Sequence, residues 1–366
     1  MYLYLVFGLL VIASFLFDIV SQKRDNMYRA VFLGIIMLFF CLSVCRWGVG
    51  PDWLSYLQHF QQIDSRGDIK DFIEKNFEPG YNLFTTINKQ IIPYYTFQLF
   101  VIASIIYILV PITILKYSKY PILSLLVWYS MVIAYIFPVR QNIAAVIIFF
   151  SVRYIIERRK ILFLLFVAIA ASFHYSALIF LPAYFVFYRY VSCKQMMVLL
   201  LLAVCISFVS IYIIQSLLPF LENGMIGEKI SKYLEIADTH TGGSAYSKHA
   251  MLVRGIINRS FLIFIIILLN RYRRNNTLLN GWCNMTVLAF ILFSFTLPVS
   301  VPLARVTMYY DLLQIFLIPY LFYLNFTRRS RYLIYFVLVM YLFIRFRGVV
   351  FNYEDLYIPY KTVFES

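Results

Sequence analysis

The sequence predicts an all-α, polytopic integral membrane protein of about 11–12 transmembrane or half-membrane helices, with two long extracytoplasmic loops. Composition is the first observation behind this. Of 366 residues, 62% are hydrophobic, 19% aromatic and 13% charged, and the mean hydropathy is +0.79. A soluble domain carries about 25% charge and about 45–50% apolar residues. No water-soluble core hides 36 Phe and 31 Tyr in a chain this long. The second observation is that the apolar residues form continuous runs close to span length, not the alternation of an outer-membrane barrel. The third is that basic residues cluster between those runs. A soluble enzyme, a disordered chain and a secreted disulfide scaffold are thereby excluded.

The apolar runs lie at about 2–20, 30–45, 96–115, 121–137, 142–156, 161–173, 175–188, 196–216, 258–270, 281–298, 306–325 and 332–346. The first lacks a basic leader and a small-residue cleavage site, so it reads as a retained helix. The two long polar gaps are 46–95 and 217–257, within a single polytopic domain spanning 1–366. No internal repeat is visible. Residues 161–188 admit two readings, one tilted helix or two short segments. A single crossing puts RYRR at 271–274 and TRRSR at 327–331 outside, against the charge rule. Two segments keep both clusters inside and set His174 at the apex of a hairpin.

Charge sets the expected orientation. Short loops carry Lys23, Arg24 and Arg29; Lys116 and Lys119; Arg158, Arg159 and Lys160; Arg189 and Lys194; Arg271, Arg273 and Arg274; and Arg328, Arg329 and Arg331. With these in the cytoplasm, the N-terminus, both long loops and the C-terminal tail lie outside. The net charge of +15 is thus read as membrane topology and headgroup contact, with no nucleic acid as partner. Cys41, Cys45, Cys193, Cys205 and Cys283 have no zinc-ligand spacing, and Cys41 and Cys45 are expected to be buried structural thiols.

Ionisable residues near the expected outer helix ends are the candidates for function. RWGVGPDWLSY, from Arg46 to Tyr56, follows the second run; Gly48, Gly50 and Pro51 allow a tight path there. Asp52 reads as a ligand of chemistry or as the cap of the next helix, with Arg46 snorkelling. Glu78 lies in FEPGYNLF, functional or simply solvated. In FPVRQNIAA, Arg140 and Gln141 open a helix, where guanidinium and backbone N–H groups suit an anion; snorkelling to headgroups is the alternative. His174 is a lone histidine in an apolar run, a core residue or a catalyst. Arg259, Arg305, Arg345 and Arg347 complete the basic set; Asp311 reads as facing the cavity of Arg305 or as a local helix stabiliser, and Arg153 as snorkelling inward. Trp47, Trp53, Tyr56, Tyr81, Tyr94, Tyr95 and Tyr309 offer faces for sugar rings, or an interfacial belt. Several outward arginines fit a lipid-carried diphosphate.

Three stretches in order resemble the EpsG-like, Wzy-type polysaccharide polymerases. RWGVGPDWLSY is similar to their R-x-G-x-G-x-D-x-x-x-Y stretch, and EPGYNLF to their E-x-G-Y element. VRQNIAA through FHYSALI is similar to their R-Q block followed by a basic turn and F-H-x-S-A-L-I. The likeness covers about residues 40–190; one departure is Pro51, where the family often has Thr. The resemblance implies an O-antigen or exopolysaccharide polymerase in the bacterial inner membrane, with its active site facing the periplasm. Its substrate is undecaprenyl-diphosphate-linked oligosaccharide, and a flippase and a chain-length regulator are the implied partners. On this reading Arg46, Arg140, Gln141, Arg259, Arg305, Tyr56 and Tyr309 bind substrate. His174 is base or donor to the diphosphate, Asp52 is the competing base, and Glu78 is a further candidate. No cofactor or metal is expected: arginines supply the charge, and no Asp-x-Asp or carboxylate cluster is present. A lipid-linked oligosaccharide flippase and an O-antigen ligase are the competing classes.

Overall fold

A computed structural model describes residues 8–10, 12–21, 26–50, 52–63, 77–132, 139–221, 248–323, 327–352, 354 and 360–365. Of the two expected long loops, Pro51, residues 64–76 and residues 222–247 lie outside the described residues, as does Pro138. In chain order the helices are α1 (Ser14–Ser21, π-wound), α2 (Asn26–Val44), α3 (Trp53–Gln62), α4 (Pro79–Ile91) and α5 (Tyr95–Tyr117). There follow α6 (Pro121–Val132), α7 (Val139–Ile156), α8 (Lys160–Phe173), α9 (Cys193–Ser207), α10 (Ser210–Leu221), α11 (Lys248–Arg273) and α12 (Thr277–Thr296). The pair α13 (Val301–Asp311) and α14 (Gln314–Phe322) bends by 42°, and α15 spans Arg328–Asn352.

The fold is all-helical and polytopic. Each of the twelve apolar runs, where described, falls on a helix or a bent pair. Five helices (α2, α5, α7, most of α11, and α12) are long and apolar enough to cross a membrane, and the bent pairs raise this to seven. Segments α6, α8 and Tyr175–Val186 are apolar but shorter. Among the described residues there is no strand, only an isolated antiparallel bridge between Arg46 and Thr362.

The chain divides into two compact units, Met1–Leu181 with Asn325–Ser366, and Pro182–Leu324. In the first, α7 is the central helix: from Gln141 to Phe149 every side chain is buried. Around it, α2 turns Tyr28, Phe32, Ile35, Ile36, Phe39 and Ser43 inward at helical spacing and leaves Leu33, Met37 and Leu38 exposed. Such exposed apolar faces are inverted relative to a soluble protein and match a lipid solvent. Helix contacts in lipid gain no water exclusion, so close packing and hydrogen bonds carry them. Asp18 shows this: buried on α1, it accepts from the Tyr28 hydroxyl at 2.6 Å and from Leu123 N–H at 2.6 Å. A carboxylate is thereby set in the positive first turn of α6.

In the second unit α12 is the buried centre. A Cβ on Gly281 would stand 2.2 Å from the Phe187 ring, so any larger residue would force the buried ring to shift. Asn284 and Asn280 donate to carbonyls that the preceding segment leaves open: Asn284 to Arg189 at 2.6 Å and Val186 at 2.8 Å, Asn280 to Arg189 at 2.9 Å. Arg273, expected as a loop charge, is instead buried, donating to the Val191 carbonyl. Cys41 is exposed rather than buried, because it sits on the outward face of α2.

Candidate functional site

In the first unit the chain leaves α2 at Arg46 and turns on Gly48 (φ +64°) and Gly50 (φ +111°), conformations that favour glycine. Arg46 does not snorkel. It is 1% exposed, with phenols of Tyr81, Tyr95, Tyr107 and Tyr360 around it and the Trp53 ring centre 5.9 Å from its guanidinium carbon. Asp52 stands at the N-cap position of α3, yet its side chain makes no capping bond. It lies one turn before Tyr56, whose N–H donates to the Asp52 carbonyl at 3.1 Å.

Tyr56 leads to Arg140. The Arg140 Nε donates to the Tyr56 hydroxyl at 3.4 Å, and its Nη1 donates to the Glu78 carboxylate. The Phe77 ring lies 4.0 Å from the guanidinium carbon and the Tyr56 ring 5.7 Å. Glu78 is therefore not a solvated loop carboxylate. It occupies the N-cap position of α4, before Pro79, but its side chain turns to Arg140 instead of capping. Burial pushes the Tyr56 phenol up, and the Arg140 charge opposes this. The phenol stays protonated near neutral pH, so its hydrogen is available to a ligand oxygen while its oxygen accepts from Arg140. Gln141, next in the chain, is buried.

His174 ends α8, with extended backbone angles (φ −157°, ψ 112°). The break expected there is present. Its Nδ1 meets the Ser176 hydroxyl at 2.7 Å and accepts from Ser176 N–H at 3.4 Å, closing the turn of Tyr175–Phe180. With Nδ1 taken as acceptor, the neutral ring carries its proton on Nε2. A Cβ on Gly80 would lie 2.2 Å from Ser172 Oγ, and the Phe84 and Phe173 rings meet at 5.7 Å. The first turn of α4, which follows Glu78, thus presses on the last turn of α8, which precedes His174. Arg140, Glu78, Tyr56 and His174 share one end of this unit.

The second unit has its own buried cluster. Arg259 Nη2 meets Asp311 Oδ2 at 2.5 Å, and Thr307 and Gln314 donate to the same carboxylate at 3.0 and 2.6 Å. The Phe293 ring covers the Arg259 guanidinium at 3.8 Å. Asp311 was a candidate neighbour of Arg305; its ion-pair partner is Arg259. Arg305 heads a 3₁₀ turn, half-buried, and Tyr309 is wholly buried. Arg345 donates to Tyr341 Oη at 3.2 Å. Among the described residues, no three His, Cys, Asp or Glu side chains come together as metal donors.

Sequence reasoning missed Asp18 and the pairing of residues 45–47 with 361–363. Neither has a local signal: Asp18 sits in an ordinary apolar run, and the second pairing joins chain segments hundreds of residues apart. No curated protein and no solved structure matches the chain. The family model of the EpsG family matches residues 29–362, and the protein belongs to that family, membrane proteins of polysaccharide-polymerase type.

Proposed function

We propose that this protein is a glycosyltransferase that lengthens a polysaccharide by moving a growing chain from undecaprenyl diphosphate onto an incoming lipid-linked repeat unit. The supporting observation is Arg140, a guanidinium held by Glu78, Tyr56 and Phe77 at one end of the first unit. The reaction breaks the bond between the anomeric carbon and the diphosphate oxygen and forms one to the acceptor hydroxyl oxygen. The acceptor proton goes to a base, and undecaprenyl diphosphate departs as an anion. Fixed positive charge must meet that anion. Arg140 serves this role by contact and the buried Arg46 through its field, with Gln141 and Tyr56 as further substrate contacts. His174, with its Nε2–H, suits a donor to diphosphate better than a base. Asp52, uncommitted to its cap, is then the base, with Glu78 holding Arg140.

This site faces the periplasm in our reading. The argument is one of length and charge. Arg140 opens α7, and Arg158, Arg159 and Lys160 follow its other end. Eighteen residues at about 1.5 Å each separate the two ends by roughly 27 Å, close to the hydrocarbon thickness of a bilayer. A basic short turn belongs in the cytoplasm, which leaves Arg140 outside. Location in a bacterial inner membrane, and work beside a flippase and a chain-length regulator, complete the proposal.

Deletion in the native host tests it. Surface glycan reduced to single capped repeat units supports a polymerase. Complete loss of surface units indicates a flippase, and lipid-linked polymer that never reaches its acceptor indicates a ligase. Glycan ladders from Arg140→Ala, His174→Ala and Asp52→Asn at matched abundance test the residues; three parental ladders would end the assignment.

A further inference from the structure

We infer that residues 360–365 form a strap that positions Arg46, with Tyr360 as its main positioning residue; this rests on the Arg46 charge stabilising the departing diphosphate. Arg46 sits between the end of α2 and two glycines of positive φ, so nothing local fixes its backbone. The strap does so from both sides. Val363 N–H donates to the Cys45 carbonyl at 2.8 Å, and Trp47 N–H donates to the Lys361 carbonyl at 3.0 Å. Arg46 and Thr362 are the opposed pair between these two bonds. The Tyr360 hydroxyl donates to the Leu42 carbonyl in the last turn of α2, an acceptor that a helix end leaves open. Its phenol also lies within electrostatic reach of Arg46. Thr362 N–H donates to the Glu365 carboxylate at 3.2 Å, which folds the strap on itself.

A long guanidinium side chain is rotamer-rich, and a cation that stabilises developing charge works only when its place is fixed beforehand. The strap and the tyrosines provide that fixing for Arg46. The strap is therefore docked during turnover, and Arg46, 1% exposed with the strap in place, acts on the diphosphate through its field rather than by contact.

The native Cys45 makes this testable. Opposed residues of an antiparallel pair have Cα atoms about 4.5–5.5 Å apart, within disulfide range. In a Cys41→Ser background, Val363→Cys should crosslink to Cys45 under mild oxidation. Turnover of host-extracted, undecaprenyl-diphosphate-linked repeat units in proteoliposomes should match before and after oxidation. Failure to crosslink, or a crosslinked protein that stops, overturns the strap. Removal of residues 360–366 should lower kcat about tenfold or more in the parent, and less than about threefold in an Arg46→Met background, since coupled positions are not additive. Equal losses in both would make the strap merely structural and overturn the inference while Arg46 kept its role. If Arg46→Met alone ran at the parental rate, the role of the Arg46 charge would fail and take the strap with it. Tyr360→Phe, which leaves the strap backbone in place, should lower kcat about three- to tenfold, the worth of one hydrogen bond; parental kcat would remove Tyr360 from the account.

Discussion

Glu78→Gln strips the charge from one side of the Arg140 pair and keeps the shape. The two side chains are 20% (Arg140) and 6% (Glu78) exposed, so the pair is largely out of solvent. Removing one partner of a buried pair costs about 3–5 kcal/mol when nothing else supports the remaining charge. Arg140 keeps two aromatic faces, at 4.0 Å and 5.7 Å, each worth about 0.5–2 kcal/mol. The net loss is therefore expected at about 1–3 kcal/mol. The double variant Arg140→Met/Glu78→Met removes both charges together. Apolar replacement of a buried pair is about neutral or better, so it should melt above Glu78→Gln despite carrying twice the change. Both variants should lose polymer in cells, since both lack the poised guanidinium. The assay is thermal unfolding of the purified proteins in detergent, followed by tryptophan fluorescence, beside glycan ladders at matched abundance. A Glu78→Gln protein that melts like the parent refutes the reasoning. So does a double variant less stable than the single, or one that still makes long polymer.

Tyr56→Phe keeps the ring over Arg140 but removes the hydroxyl, and should slow polymerisation about three- to tenfold with little change in melting, read from ladder length and detergent melts. Gly80→Ala drives a methyl to 2.2 Å from Ser172 Oγ and 2.7 Å from its carbonyl oxygen, so it should destabilise by about 1–3 kcal/mol in the same melts and shorten polymer. Gly255→Ala brings a Cβ to 2.0 Å from Phe293, the ring that covers Arg259, and should destabilise by a similar amount, about 1–3 kcal/mol. Glu157 has its carboxyl held below the ordinary range, chiefly by the hydrogen bond from Lys116 at 2.7 Å. A lowered carboxylate pKa gives stability that is present above the ordinary value and lost as pH falls through the depressed one. The pair is partly exposed, so Glu157→Gln should cost under about 1 kcal/mol at neutral pH, and nothing in strong acid or high salt.

The helices were legible because lipid imposes a length and a polarity that a single sequence displays. The twelve runs needed no knowledge of partners, and the break at His174 showed as a polar residue inside an apolar stretch. Pairing was another matter. Arg140 and Glu78 are 62 positions apart, and Arg259 and Asp311 are 52 apart. Each residue alone reads as a functional candidate without a partner; burial and pairing appear only once α4 meets α7, or α11 meets α13. Glu78 read as functional or as solvated, since Pro-Gly usually marks a loop, and Asp52 as a base or as a cap, since it precedes a helix. The backbone does place both at N-cap positions, yet neither side chain caps. Arg273 was counted as a topology charge, since a basic residue at a helix end normally reaches solvent; an open carbonyl at Val191 draws it inward.

The most direct test of the central claim is reconstitution. Purified protein in proteoliposomes receives host-extracted, undecaprenyl-diphosphate-linked repeat units, and both polymer and freed undecaprenyl diphosphate are measured. The account predicts one carrier released per bond formed, and a fall of about a hundredfold or more for Arg140→Ala, the scale for losing a preorganised donor to developing charge. Equal rates from the parent and Arg140→Ala, or bond formation without carrier release, would contradict it.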